Sequence, residues 1–383
     1  MELFSSPSSF HYLGLIIIII LKKSKKILII GPFPDPISGV SLANKLVKKV
    51  LGESNLFAID YVNSAYPLFE NEIGVFSIKK LIFFLKINFK IFKIFKTDIV
   101  YITPGQTFYG ILKYAFFILI SSALNKELII HVHGNYLGKQ YQELTGFKKK
   151  IFHFLVSRFT KGIVLSNSLK QNLIPFIQER SIFCLPNFAQ DFLLNTTKKN
   201  INNELRIFYL SNLMEEKGIL CLLNALINLE KNNVIYKAKI AGNIDQKYSK
   251  KILNLLNGLK NTQYIGVVHG YEKKKLLDWG NIFVLPTFYK MEGQPISILE
   301  AMATENLVIT TDHAGISDIF TDKLNGYFVK KNNVESIQDI LYYITFNKNE
   351  LEKIAMYNKE YFLDNFTENK FKHNLLNILN NNS

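Results

Sequence analysis

Residues 284–320 read VLPTFYKMEGQPISILEAMATENLVITTDHAGISDIF. The apolar run IFVLPT (282–287) ends at Pro286 and has the continuous hydrophobicity of a strand buried on both faces. Thr287 to Met291 form a loop. Gly293 lets the backbone approach a neighbour closely. Pro295 suits the first turn of a helix, where its missing N–H costs nothing. The helix runs on through ISILEAMA, and a second apolar run, NLVITT (306–311), follows it. Strand, loop, helix and strand in this order make one unit of an α/β sheet. The open amides and positive dipole end of the helix form an anion site, and a diphosphate fits it. Glu292 stands just before that site, and Glu300 lies about a turn and a half into the helix. Two carboxylates beside a phosphate would repel it. Hydrogen bonding to sugar and ribose hydroxyls gives them a reason to be there.

The same alternation extends along the chain. Strand-like runs occur at KILIIG (26–31), DIVYIT (98–103), ELIIHVHG (127–134), GIVLS (162–166) and IFCLPN (182–187). They resume at RIFYLS (206–211), YKAKIAG (236–242), QYIGVV (263–268) and GYFV (326–329). Helix-length segments separate them, so the pattern is α/β twice over. The Asn- and Thr-rich stretch 187–205 reads as the break between the two halves. The expected organisation is an extension at 1–24, an N-terminal doubly wound domain at 25–190 and a linker at 191–205. A C-terminal doubly wound domain follows at 206–350, and helices at 351–383 are expected to pack back on the first domain. Two such sheets place their strand ends across a cleft, where ligands bind.

Composition narrows the partners. The chain has 383 residues, 48% hydrophobic, which excludes wholesale disorder. Cys184 and Cys221 are its two cysteines, so a disulfide framework and a Cys/His zinc site are excluded, and a reducing, cytoplasmic setting is expected. The net charge of +15 is uneven. Residues 1–190 hold 23 Lys and Arg against 10 Asp and Glu; residues 191–383 hold 23 against 21. The basic half is suited to nucleic acid, an anionic membrane or an anionic substrate. No nucleic-acid-binding motif accompanies the charge, so nucleic acid is not expected as a partner.

Two segments bear on membranes. Residues 12–21, YLGLIIIIIL, are too short to span a bilayer, and no positive n-region or cleavage site marks a signal peptide. They read either as an unstructured extension or as a shallow anchor. Residues 79–96, KKLIFFLKINFKIFKIFK, place Lys79, Lys86, Lys90 and Lys93 on one helical face and Leu81, Phe84, Leu85, Phe92 and Phe95 largely on another. That is a basic amphipathic helix. It is either an ordinary surface helix with solvated lysines or one that lies in an anionic interface, on the inner face of the cytoplasmic membrane.

The segment 284–320 resembles the signature of retaining, nucleotide-sugar-dependent glycosyltransferases of family four, which have the GT-B fold of two Rossmann-like domains facing a cleft. Their hallmark is two glutamates separated by seven residues, then AMA and a Gly-rich turn. Here these are Glu292 and Glu300, Ala301-Met302-Ala303 and Ala314-Gly315-Ile316. The resemblance implies that Glu292 contacts the donor sugar and Glu300 the nucleotide ribose, while amides around Gly293, Gln294, Pro295 and Ile296 hold the diphosphate. LSNLMEEKGI (210–219) resembles the segment whose Arg and Lys neutralise the leaving diphosphate. Lys217 fills the Lys position; Asn212 stands where the Arg is usual. Val267 to Gly270, Val268 among them, would border the base. Glu305-Asn306-Leu307 replaces the frequent Gly-x-Pro after AMA.

In the first half, GPFPDPISGVS (31–41) resembles the family's Gly-containing loop facing the transferred sugar, with Gly39 close to the donor. HVHGN (131–135) ends a strand; the resemblance favours His133 near the reacting centre and leaves His131 a structural role. The implied catalytic set is His133, Glu292 and Lys217. The implied activity is transfer of a hexosyl group from a nucleotide-diphosphate sugar to a glycan or lipid-linked acceptor, in surface polysaccharide or lipopolysaccharide synthesis. Lys86, Lys90 and Lys93 are the candidates for meeting the membrane or acceptor. No Asp-x-Asp occurs in the chain, so neither a metal nor another cofactor is expected. A soluble enzyme of the same fold, such as a sugar phosphorylase or a nucleotide-sugar epimerase, and a non-catalytic carbohydrate-binding relative are the rival readings.

Overall fold

The computed structural model describes residues 24–66, 82–83, 86–195 and 204–380. The apolar run at 12–21, Lys79, Leu81, Phe84 and Leu85 of the amphipathic segment, and most of the linker lie outside them.

The first sheet contains β1 (Lys25–Gly31), β2 (Phe57–Asn63), β3 (Ile99–Ile102), β4 (Glu127–Val132), β5 (Lys161–Val164) and β6 (Ile182–Cys184). Its order is β2-β1-β3-β4-β5-β6, and every pairing is parallel. The helices of this half are α1 (Gly39–Glu53), α2 (Phe108–Leu112), α3 (Ala115–Ala123), α4 (Leu137–Glu143) and α5 (Gly146–Val156). The second sheet contains β7 (Leu205–Leu210), β8 (Tyr236–Ala241), β9 (Thr262–Tyr264), β10 (Ile282–Leu285), β11 (Leu307–Thr310) and β12 (Gly326–Phe328). It is also parallel, in the order β12-β11-β10-β7-β8-β9. Around it lie α6 (Ile219–Lys231), α7 (Ser249–Asn257), α8 (Gly270–Trp279), α9 (Ile296–Ala303), α10 (Val334–Phe346) and α11 (Asn349–Asn365). The last helix, α12 (Glu368–Asn380), returns to the first half. Its Phe371, Leu375 and Ile378 share a core with Ile27, Ile29 and the buried face of α1. These are the two Rossmann-like domains of a GT-B fold.

The central strands are buried on both faces, which is why they read as unbroken apolar runs. The strand β2 is different. It is an edge strand that buries only Phe57 and Val62 of its seven residues, with Asp60 between them, so it shows no continuous apolar run. The segment after it also departs from expectation. Residues 89–96 form a 3₁₀ helix instead of the end of one α-helix. Phe89, Phe92 and Phe95 repeat every three residues, as do Ile91 and Ile94, and this period matches the three residues per turn of that helix. Ile94 is the side chain it buries.

The direction in which successive strands are added to the sheet reverses between β1 and β3 and between β7 and β10. These two switch points are where doubly wound sheets bind ligands. Tight contacts fix the loops there. A Cβ on Gly31 would stand 1.9 Å from Thr103 Oγ1 and 2.5 Å from Asn44 Nδ2. Those two atoms are hydrogen bonded to each other at 2.7 Å, so neither has room to move. Gly31→Ala should therefore lower the unfolding free energy by about 1–3 kcal/mol, as overpacked cores do. Urea unfolding measures this; an unchanged midpoint would show that the β1–β3 crossover is not packed as described.

Candidate active site

Lys217 sits at the end of a 3₁₀ turn after β7. Gly218 follows with φ +79, and a Cβ there would lie 2.3 Å from the Pro286 carbonyl. Only glycine lets the chain turn into α6 so close to the end of β10. This places the Lys217 ammonium 2.6 Å from Glu292 Oε2. Thr287 Oγ1 donates a second hydrogen bond to the same oxygen, at 2.9 Å. The ammonium also stands over the Tyr289 ring, 5.0 Å from its centre. His313 completes the wall: its Nε2–H donates to the Tyr289 carbonyl at 2.8 Å. Burial holds the His313 imidazole below its ordinary pKa.

Glu300 is 3% exposed on α9 and paired with Lys273 of α8. Sequence reasoning missed Lys273, because a lysine in a run of three on a helix carries no signal of its own. Each of the two motif carboxylates thus has one half-buried lysine. That answers part of the electrostatic difficulty: the pairs neutralise what would otherwise be two negative charges facing a diphosphate. Between them Pro295 caps α9, and Ile296 and Ser297 at its amide end remain partly open to solvent. Asn212, at the carboxyl end of β7, is exposed. Its carbonyl accepts from Tyr209 Oη at 2.8 Å, so the backbone there is held although the usual cation is absent. Val268 is half-buried against the C-terminal core, and Val267 beside it is exposed.

The two domains meet at the same place. Gly39 opens α1, and a Cβ added to it would lie 3.5 Å from Ile296 of the other domain. The backbone at Gly293 is so near His133 that a Cβ would stand 2.5 Å from the His133 carbonyl. A Cβ on Gly134 would stand 2.4 Å from the Met291 carbonyl. Gln294, expected beside the donor phosphates, crosses the domain boundary with its side chain. Its Nε2 donates to the Leu165 carbonyl at 2.8 Å, and its Oε1 accepts from the Asn187 amide at 3.0 Å. Asn187 Nδ2 returns a bond to the Gln294 carbonyl at 2.8 Å. The Glu305 turn after AMA has φ +56, the left-handed conformation that glycine meets more cheaply. Asn306 beside it is fully buried and hydrogen bonds the Leu277 and Ala301 carbonyls.

The His133 ring is packed 3.9 Å, centre to centre, from that of His131. His131 Nδ1 is hydrogen bonded to Tyr101 Oη at 2.5 Å. Nε2 of both histidines is buried without a protein partner. Burial pushes the His133 imidazole down to about 3 and holds His131, which also has His133 beside it, well below the ordinary value. Lys86, Lys90 and Lys93 lie away from this cleft. Lys93 is tied to Asp60 on β2 at 2.5 Å, and Lys86 and Lys90 are exposed.

The buried histidines give stability a pH dependence of known sign. From about pH 6.5 down to about 3, the unfolded chain takes a proton at His133 and the folded chain does not. Stability therefore rises with pH across that window and is lost as the pH falls. The contribution of one histidine is about 1.4 kcal/mol per pH unit. His133→Asn should flatten the loss of stability between about pH 6.5 and pH 5 by roughly that slope. Parallel slopes for parent and variant in urea titrations would mean that His133 is protonated in the folded protein.

Residues 194–361 match the family described as Glycosyl transferases group 1. An uncharacterised glycosyltransferase of Methanocaldococcus jannaschii is 24% identical over 273 residues, 66% of this chain and 68% of that protein. The amylovoran biosynthesis glycosyltransferase AmsK of Erwinia amylovora is 26% identical over 146 residues, 37% of this chain but only 36% of that protein. Among solved structures, Anabaena HepE in complex with UDP-glucose superimposes with a TM-score of 0.72 at 15% identity, over 92% of this chain and 99% of that one. Residues 194–361 thus resemble the glycosyl transferases group 1 family, and the chain as a whole has the GT-B fold.

Proposed function

We propose that the protein transfers a hexosyl group from a nucleotide-diphosphate sugar to a glycan or lipid-linked acceptor, with retention at the anomeric carbon and without a metal. The observation that carries this reading is the arrangement of Lys217, Glu292 and Thr287 beside the amide end of α9, facing Gly39 and His133 of the other domain. The diphosphate would lie on the α9 amides. Lys217 would turn from Glu292 to the departing phosphate, and the freed Glu292 carboxylate would accept from a sugar hydroxyl. Glu300 would hold the ribose hydroxyls, with Lys273 keeping it in place. His133, neutral and with Nε2 unpartnered, has hydrogen-bonding capacity to offer the sugar. With Asn212 in place of the usual cation, Lys217 and the amides would carry the leaving-group charge by themselves.

Retention without a side chain placed as covalent nucleophile favours attack by the acceptor hydroxyl on the face the diphosphate leaves. A phosphate oxygen would take the proton. Catalysis is then positioning and charge stabilisation. The names of the relatives, one of which serves amylovoran synthesis and one of which binds UDP-glucose, favour a surface polysaccharide or lipopolysaccharide as product. An acceptor of that kind is lipid-linked, which suits attachment at the inner face of the cytoplasmic membrane.

With a nucleotide sugar that shifts the melting temperature, Glu292→Gln and Lys217→Ala should each lower turnover by about 10²–10³-fold while folding is kept. Chelation by EDTA should leave the parent's rate unchanged. Unaltered turnover in both variants would sink the site assignment, and loss of activity in EDTA restored by magnesium would sink metal independence.

A further inference from the structure

One face of the N-terminal sheet carries a surface that the sugar-transfer site does not use. It is the layer formed by residues 86–96, α2, α3 and α5, packed on Leu28, Ile30, Val100 and Ile102. The segments 86–96, 108–124 and 146–156 contain eight lysines and no Asp or Glu. Along the 3₁₀ segment, Phe89, Phe92 and Phe95 fall on one edge, being 74%, 71% and 58% exposed. Phe116 of the neighbouring α3 is 58% exposed, and Phe147 at the start of α5 is 77% exposed. Lys86, Lys90, Lys148 and Lys150 are exposed among them.

Phenylalanines this open are unusual on a surface that meets only water. The lysines decide what covers them. The cores of protein–protein interfaces are depleted of lysine, whereas a bilayer interface accepts phenylalanine among the chain ends and lysine against the phosphates. Lysine stems reach outward past the rings, which lets both requirements be met on one face. No helix among the described residues is long and apolar enough to cross a membrane, so the contact is lateral. The face also reaches the cleft: α2 begins next to Gln106, whose Nε2 donates to the Met291 carbonyl at 3.3 Å.

We propose that this face seats the protein on an anionic lipid bilayer, with the Phe89–Phe92–Phe95 edge inserted and the lysines on the lipid phosphates. The proposal rests on the reading of a lipid-linked acceptor and deepens it. It moves the burden from the charges expected in the sequence to the aromatic edge, since Lys93 is already engaged by Asp60.

The test is flotation of the full chain with phosphatidylcholine vesicles, with and without phosphatidylglycerol, in the absence of donor and acceptor. The parent should float with the anionic vesicles, and the triple variant Phe89→Ser, Phe92→Ser, Phe95→Ser should bind them about tenfold or more weakly. Binding that survives about 1 M salt in the parent and vanishes in the triple variant separates insertion from charge. Phe92→Trp reports insertion directly, through a blue-shifted emission on vesicles. Donor hydrolysis without vesicles should be equal in parent and triple variant; its failure in both would speak against the sugar-transfer reading and not against the membrane face. A parent that ignores anionic vesicles, or a triple variant that floats as well as the parent, overturns the proposal. A concentration-dependent dimer abolished by the triple variant would also overturn it, in favour of a second copy of the chain.

Discussion

The site depends on a carboxylate that has almost no water. Glu292 is 7% exposed, and its Oε2 makes two contacts, with the Lys217 ammonium and the Thr287 hydroxyl. Breaking a buried pair by removing one partner leaves an uncompensated charge, which costs on the order of 3–5 kcal/mol. A pair of this kind adds little stability over well-packed apolar groups, so stability does not explain it. It becomes intelligible if the lysine has somewhere else to go. A diphosphate at the α9 amides offers the ammonium a second anion within the same loop, and the exchange leaves Glu292 able to accept a hydroxyl. The Lys273–Glu300 pair repeats the arrangement one helix away.

Keeping these groups in register requires the two domains to meet closely. Gly134 and Gly293 make this possible by having no side chain, since the opposing carbonyls occupy the space a Cβ would need. Gln294 and Asn187 then fasten the contact with three hydrogen bonds between domains. Gln294 stands two residues from Glu292, so the bonds that hold the domains together and the carboxylate proposed to face the sugar share one loop. Ser168 and Asp318 add a further link on the same side, at 2.6 Å. Opening the cleft would therefore move the Glu292 loop itself, and on the proposed reading donor entry would be coupled to domain separation by chain connectivity alone.

Most of the architecture was legible because buried parallel strands leave continuous apolar runs, and Glu292, Glu300 and Lys217 were legible because motif spacing survives in the sequence. What escaped did so for physical reasons. The edge strand β2 buries only Phe57 and Val62 and carries Asp60 between them, so it leaves no continuous apolar run. The segment 89–96 has a three-residue period that reads in sequence as part of an amphipathic α-helix and is instead a 3₁₀ helix, which lines up Phe89 with Phe92 and Phe95 on one exposed edge. Lys273 is one lysine of three in a row; only the fold brings it to Glu300. Gln294 looked like part of an anion loop by position, and its side chain direction depends on Leu165 and Asn187, more than a hundred residues away.

The charge asymmetry of the chain follows from the same division of labour. The C-terminal half is nearly neutral, and Lys217 and Lys273 are matched there by Glu292 and Glu300 inside the protein. On the proposed reading, the field of these lysines is released only when a ligand replaces the carboxylates. The N-terminal half is the reverse. Lys93 is held by Asp60, but Lys86, Lys90, Lys148 and Lys150 are exposed in segments that contain no acidic residue, so their field extends into solvent. A screened field of that kind reaches only about one Debye length, roughly 8 Å at physiological salt, too short to guide a free ligand into the cleft from afar. It is effective against a surface already in contact. Charge laid out over a helical layer, with aromatic rings rising through it, is therefore suited to a flat anionic partner, and charge paired in a cleft to a small one.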